Sequence, residues 1–125
     1  MEFTPLVTLL AVFLTLFLSM KVGGLRKDVP APATTGNEAF ERANRIHLNT
    51  VEQLVLFLPS LWLALPALGD HYTAGLGAAW LVGRIFYARA YTKDPKTRGR
   101  GMALTFLATT ALWIAALAGV FGFAL

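Results

Sequence analysis

Residues 41–68, ERANRIHLNTVEQLVLFLPSLWLALPAL, join two kinds of sequence without a break. The first thirteen residues hold five charged or titratable side chains and three amides, and the next fifteen are almost entirely apolar. A helix that includes both parts, from about residue 38 to 68, is longer than a bilayer requires. Its first three or four turns are therefore expected to project into the headgroup layer.

The composition of the whole chain is that of a membrane protein. Of its 125 residues 56% are hydrophobic and 14% are charged, against about half and about a quarter in soluble domains. The apolar segments predict one all-α integral-membrane domain over residues 1–125, a bundle of four transmembrane helices. Their expected bounds are about 3–20, 38–68, 72–91 and 95–124, with a loop at 21–37. Three segments qualify as spans directly, and the second qualifies only with its polar start.

The net charge of +4 is concentrated after the first and third helices, whereas the link between the second and third is only GDHY. The positive-inside rule therefore places the two basic loops in the cytoplasm and both termini outside. Glu2 precedes the first apolar segment and Lys21 follows it, so the segment is expected to stay as a span. The basic loops could contact lipid headgroups or bind an anionic cytosolic ligand. No nucleic-acid partner is expected.

Cysteine is absent and the chain has two histidines. No metal site is expected, and any thiol chemistry must come from a substrate. His47 lies away from the polar face of its helix and is interpreted as an interfacial side chain.

Two polar stripes stand out on helical wheels. The stripe on the second helix consists of Glu38, Arg42, Arg45, Asn49, Glu52 and Gln53. The stripe on the third helix consists of Arg84, Tyr87 and Tyr91, while Arg89 points elsewhere, and Arg98 is expected on the first turn of the fourth helix. Charges within a membrane normally face the bundle interior, so these residues could simply lock the helices together. Four arginines against two glutamates nevertheless leave cations for a ligand that carries carboxylates.

Small residues recur at four-residue spacing in two helices: Gly75, Ala79 and Gly83 in the third, and Ala111, Ala115 and Gly119 in the fourth. Such stripes allow helices to approach closely in lipid, within one bundle or between subunits.

Residues 34–53, TTGNEAFERANRIHLNTVEQ, resemble the start of helix two in the MAPEG family, the membrane-associated proteins in eicosanoid and glutathione metabolism. The motif consists of Glu41, Arg42, Arg45, Asn49 and Glu52. Two residues separate Arg42 from Arg45, three separate Arg45 from Asn49, and two separate Asn49 from Glu52. The resemblance extends over nearly the whole chain, including its length, its four spans and its basic loops.

The resemblance implies a homotrimer with glutathione, as co-substrate, in a cytosol-facing cleft between subunits. It assigns Arg98 to stabilising the glutathione thiolate and Arg45, Asn49 and Glu52 to holding the tripeptide. The other residues that it places in the glutathione site are Tyr87, Tyr91, Arg26, Lys27, Arg42, Gln53 and Arg84.

The function that follows is a membrane-bound glutathione transferase, with or without peroxidase activity, acting on hydrophobic electrophiles from the bilayer. Gln53 and Pro59 depart from relatives that make leukotrienes or prostaglandins, which favours a general transferase. The short C-terminus is typical of a bacterial member, expected in the inner membrane. The alternatives are a non-catalytic membrane protein of the same fold, a site for another anionic thiol or a lipid headgroup, and a small transporter.

Overall fold

A computed structural model describes residues 2–27 and 29–123 of the chain. Within these residues the chain forms four α-helices: α1 (Phe3–Gly24), α2 (Glu38–Leu68), α3 (Asp70–Lys93) and α4 (Gly99–Val120). The fourth helix differs from its expected bounds. Pro95–Thr97 form a separate 3-10 turn with Asp94 as its cap, α4 begins only at Gly99, and it ends at Val120. The expected end at residue 124 lies outside the described residues.

The start of α2 is fixed by a side-chain cap. Asn37 has an extended backbone, and its side-chain oxygen accepts a hydrogen bond from the backbone N–H of Phe40 at 3.0 Å. This satisfies one of the free N–H groups at the helix start, as an N-cap asparagine should. The helix then continues through Pro59 and Pro66 to Leu68. Its 31 residues correspond to about 46 Å, well beyond the roughly 30 Å of a hydrocarbon core.

Contacts at the helix ends fix the arrangement of the bundle. Only Gly69, with a φ of +80°, separates α2 from α3, so these two helices are antiparallel neighbours. At this end of the bundle the Asp70 carboxylate accepts hydrogen bonds from the backbone N–H groups of Phe3 and Thr4, both at 2.8 Å. At the opposite end the Arg42 guanidinium donates to the carbonyls of Thr92 and Lys93. Both basic links therefore lie at one end of the molecule.

Three of the four helical segments in the described chain are long and apolar enough to cross a membrane: α1, α2 and Pro95–Val120. The expectation that the third segment would qualify directly was wrong, because α3 is the segment that falls short. Arginines and small residues lower the apolar character of α3, and it packs against α1, α2 and α4. Trp80, Arg84 and Tyr87 on α3 are almost completely buried.

The core at mid-bundle is built around a pair of stacked rings. Phe57 of α2 and Trp80 of α3 lie with ring centroids 4.1 Å apart and planes 5° from parallel. Leu61 and Leu112, both fully buried, pack in the same cluster. The opposite faces of the helices expose many large apolar side chains, as the surface of a protein in lipid does.

The closest approach of two helices lies between α3 and α4. A Cβ built on Gly101 would be 2.4 Å from the backbone nitrogen of Tyr87 and 2.7 Å from the carbonyl oxygen of Gly83. A Cβ on Gly83 would lie 2.8 Å from Thr105. Gly83 belongs to the small-residue stripe of the third helix, whereas Gly75 of the same stripe has nothing within 4 Å of its Cβ position. The contact therefore depends on a glycine pair, and Gly101 was not part of either predicted stripe.

The substitution Gly101→Ala should destabilise the protein by about 3 kcal/mol or more, because its methyl group would overlap backbone atoms that cannot move aside. The measurement is the thermal unfolding midpoint in detergent, followed by helical circular dichroism. Gly99→Ala is the matched control, since its Cβ position is open. Equal midpoints for the two variants would show that α3 and α4 are not held this closely.

Candidate functional site

A buried arginine connects the two polar stripes. Arg84 of α3 is 1% exposed, and its Nη2 donates to Asn49 Oδ1 at 2.8 Å and to Thr50 Oγ1 at 2.9 Å. Thr50 in turn donates its hydroxyl proton to the carbonyl of Ile46 at 2.8 Å. The interaction that links α2 to α3 is therefore a charge-assisted hydrogen bond to an amide and a hydroxyl, and no carboxylate pairs with Arg84 in the described part of the chain.

The same arginine holds an aromatic ring and reaches α4. Its guanidinium carbon lies 4.1 Å from the ring centroid of Tyr87, a cation–π distance, and its Nη1 is 3.8 Å from the sulfur of Met102. Tyr91, one turn further along α3, has its ring 5.7 Å from that of Tyr87. We call Arg84, Asn49, Thr50, Tyr87 and Met102 the Arg84 cluster. It joins three helices through side chains that are buried or half-buried.

An exposed ion pair lies on α2 beside this cluster. Arg45 Nη1 and Glu52 Oε1 are 3.3 Å apart, and the two side chains are 49% and 60% exposed. These two residues lie on the helix face predicted from the wheel, two turns apart. Because both are open to the outside of the protomer, the face is accessible to a ligand or to another subunit.

Arg98 is also exposed, on the turn before α4. Its Nη1 donates to the carbonyl of Pro95 at 2.6 Å. It borders a surface depression of about 480 Å³, whose apolar lining includes Met102, Ala103 and Phe106.

Other predicted site residues have different surroundings. Arg42 pairs with Glu38 and donates to the carbonyls of Thr92 and Lys93 at 3.0 and 3.2 Å, so it caps the end of α3. A cation at a helix C-terminus is favourable because the last carbonyls carry partial negative charge. Arg42 therefore uses its donors within the protomer.

Arg26 organises the first loop. Its Nη1 donates to the carbonyls of Val29 and Ala33 at 3.2 and 2.8 Å, and its guanidinium lies 4.5 Å from the ring centroid of Phe40. Lys27, its neighbour in the predicted pair, is exposed. Arg26 therefore shapes the loop, whereas Lys27 is open to solvent.

Gln53 is half-buried at the border of a groove between α2 and α4, about 310 Å³ in volume. Trp113 and Phe106 provide its aromatic walls. Gln53 therefore lies at the border between α2 and α4.

Sequence reasoning missed Thr50 and Met102 as partners of Arg84. Thr50 follows Asn49 directly, and Met102 lies one turn after Arg98. Their closeness in sequence to predicted site residues was the one feature that could have indicated them. Across residues 2–27 and 29–123 no group of three or more His, Asp or Glu side chains is placed to hold a metal ion.

Comparison with known proteins identifies the family. The family model described as "MAPEG family" matches residues 4–118. The chain belongs to the MAPEG family. An uncharacterized protein of Synechocystis is 45% identical over 117 residues, covering 92% of this chain and 85% of that protein.

Other similar proteins carry names that describe an activity. The leukotriene C4 synthase of Bos taurus is 34% identical over 110 residues, which covers 86% of this chain and 71% of the relative. The microsomal glutathione S-transferase 2 of Homo sapiens is 32% identical over 91 residues, which covers 71% of this chain and 62% of the relative. With its long apolar helices, the chain is a membrane protein of a family that includes glutathione-related transferases.

Double-mutant cycles should separate the buried contact from the exposed one. Arg84→Met combined with Asn49→Ala should give a coupling energy of about 1.5–3 kcal/mol. Either single substitution already removes the hydrogen bond to the buried charge, so the double mutant does not lose it a second time. Arg45→Met combined with Glu52→Ala should give a coupling energy of about 0–1 kcal/mol, which is typical of exposed ion pairs. The measurement is unfolding free energy in mixed micelles. Coupling of equal size in both cycles would contradict a structural role that is specific to Arg84.

Proposed function

We propose that this MAPEG protein is an integral-membrane glutathione transferase whose site is completed in a homotrimer. The observation that carries the proposal is the exposed Arg45–Glu52 ion pair beside Asn49, Tyr87 and Tyr91. Relatives named as a leukotriene C4 synthase and a glutathione S-transferase support glutathione as the thiol. The site would face the cytosol at the end of the bundle that carries the basic links.

Glutathione matches the charges of this face. It carries two carboxylates and one ammonium group, so it needs cations and at least one acid. Arg45 can bind a carboxylate through its planar fork, and Glu52 can accept from the ammonium group. The ion pair between them is exposed and therefore contributes only about 0–1 kcal/mol, so exchanging it for contacts with a charged ligand costs little.

Asn49 would add a fixed hydrogen-bond donor. Its Oδ1 accepts from Arg84, which leaves its Nδ2 as the donor directed away from that contact. Because Arg84 is buried, the orientation of the amide is set before a ligand arrives. Preorganised donors of this kind avoid the free-energy cost of ordering a side chain on binding.

Arg98 would stabilise the glutathione thiolate. A free thiol has a pKa of about 8.5 and is only slightly ionised at neutral pH. Lowering that pKa by about two units requires about 2.7 kcal/mol of preferential stabilisation of the charged form. Arg98 donates one N–H to Pro95, and its remaining donors are available at the apolar depression beside Met102 and Phe106. Low local polarity strengthens the interaction of a guanidinium with a nearby sulfur anion.

The reaction then needs no nucleophile from the protein. The thiolate sulfur attacks an electrophilic carbon, a carbon–sulfur bond forms, and the leaving group departs with its electron pair. A hydrophobic electrophile would reach the sulfur from the bilayer along the exposed apolar faces of the helices. A chain without cysteine is compatible with this chemistry, because the sulfur belongs to the substrate.

The proposed role of Arg98 gives a spectroscopic prediction. Wild-type protein in detergent, mixed with glutathione near neutral pH, should develop the ultraviolet absorption band of a thiolate, and it should conjugate an activated aryl halide. Arg98→Ala should lose the band and lower the conjugation rate by about 10²-fold or more, because charge stabilisation at the reacting atom is removed.

Arg100→Ala is the control for general charge loss, since Arg100 is exposed and lies two residues further along. It should keep the thiolate band. Native mass spectrometry should show three chains for the wild-type protein and both variants. Glutathione binding without a thiolate band in the wild-type protein would instead favour a non-catalytic binding protein of the same fold.

A further inference from the structure

A long groove runs between α1 and α3, and at one end it also reaches Ala43 and Ile46 of α2. It consists of two adjoining cavities of about 390 and 340 Å³, which share Leu14, Phe17 and Ile85 in their walls. We call this feature the lipid groove. None of the residues that line it belongs to the Arg84 cluster or to the Arg45–Glu52 pair.

The two ends of the lipid groove differ in chemistry. The end near mid-bundle is lined by apolar side chains such as Leu10, Phe13 and Leu81. The other end, where α1 and α3 finish, is bordered by Lys21, Arg89 and Lys93. All three basic residues are exposed, and none of the acidic residues that the structure describes lines either cavity.

The acids at the start of α2 are already engaged elsewhere. Glu38 forms an ion pair with Arg42, and the Glu41 carboxylate accepts from the backbone N–H of Gly36 at 3.3 Å. Arg42 also occupies the last carbonyls of α3, which reduces the negative potential at that helix end. Glu38 and Glu41 thus have other partners, and the charged side chains that line this end of the groove are all basic.

The length of the groove matches one leaflet of a bilayer. Leu10 and Lys21 are eleven residues apart on α1, which corresponds to about 16 Å of helix. One leaflet is about half of a hydrocarbon core that is roughly 30 Å thick. A molecule with an anionic head at Lys21 and an acyl chain extending to Leu10 would therefore fill the groove at the depth where membrane lipids lie.

We propose that the lipid groove binds one anionic membrane phospholipid. Lys21, Arg89 and Lys93 contact its phosphate-bearing headgroup, and one acyl chain lies between α1 and α3 against Leu14, Phe17 and Ile85. Basic pockets between transmembrane helices are suited to acidic headgroups, which are concentrated on the cytoplasmic leaflet. Charge complementarity at one end and apolar walls along the rest select this occupant over a neutral lipid. The binding is independent of the proposed transferase activity.

The test uses full-length protein in mild detergent, incubated with mixed micelles of phosphatidylglycerol and phosphatidylcholine and examined by native mass spectrometry. Wild-type protein should retain about one phosphatidylglycerol per chain in preference to phosphatidylcholine. Arg89→Gln and Lys93→Gln should each weaken this preference about fivefold, the contribution of one basic residue near an anionic surface. Ala88→Phe should also lower retention, because it fills the groove while leaving all three cations in place.

Two matched controls keep the test specific. Arg100→Gln removes an exposed cation outside the groove, and Ala78→Phe adds an exposed ring on α3 outside it. Both should retain phosphatidylglycerol as the wild-type protein does. Equal losses in the groove variants and in these controls would show diffuse attraction and overturn the proposal. Retention of neither lipid, with a changed oligomeric state in Ala88→Phe, would show that a second copy of the chain covers the groove and would also overturn it.

Discussion

The buried guanidinium of Arg84 is the constraint on which the rest of the structure depends. A charge at this depth is costly unless it finds polar partners. Here Nη2 donates to Asn49 and Thr50 on α2 and the flat face lies against Tyr87, while the buried Nε has no hydrogen-bond partner among the described residues. These partners can only be supplied if α2 and α3 pack in one register. Close contact of α3 with α4 at Gly83 and Gly101 then brings Met102 to the same guanidinium. One buried cation therefore aligns three helices and, with them, the polar face on which a ligand would bind.

The charged residues of this protein divide into two groups with different physical roles. Arg84, Arg42 and Arg26 direct their donors to atoms of the same protomer: an amide and hydroxyl, the end of α3, and the carbonyls of the first loop. Arg45, Glu52 and Arg98 remain exposed at the edge of the bundle. The first group holds helices and loop together, and the second group is exposed on the face that we propose as the binding site. Of the two interpretations considered for the polar stripes, helix locking describes the contacts of the first group, and ligand binding stays a prediction for the second.

Periodicity and capping rules predicted much of this arrangement. The start of the second helix at about residue 38 was predicted, and Asn37 before it has a side chain of the type that caps helices. The shared face of Arg45, Asn49 and Glu52 follows from helical spacing alone. The contacts that depend on three-dimensional approach could not be predicted in the same way. Gly101 is a single small residue on α4, and its importance comes from the backbone of Tyr87 beside it. Arg42 belongs to the family motif, yet its carbonyl partners lie fifty residues away on α3. The sequence analysis also treated α3 as an apolar span, although its hydrophobicity is modest. Its packing against the other helices, which the sequence does not reveal, compensates for that polar character.

Proton release on glutathione binding tests the central claim most directly, because a site that stabilises a thiolate must expel the thiol proton. Calorimetric titrations in buffers of different ionisation enthalpy measure this quantity without requiring knowledge of the electrophile. At pH 7 a thiol pKa lowered by about two units predicts about 0.7 proton released for each glutathione bound, and none for S-methylglutathione, which has the same charges but no thiol proton. Binding of both ligands with no difference in proton release would contradict thiolate stabilisation by this site.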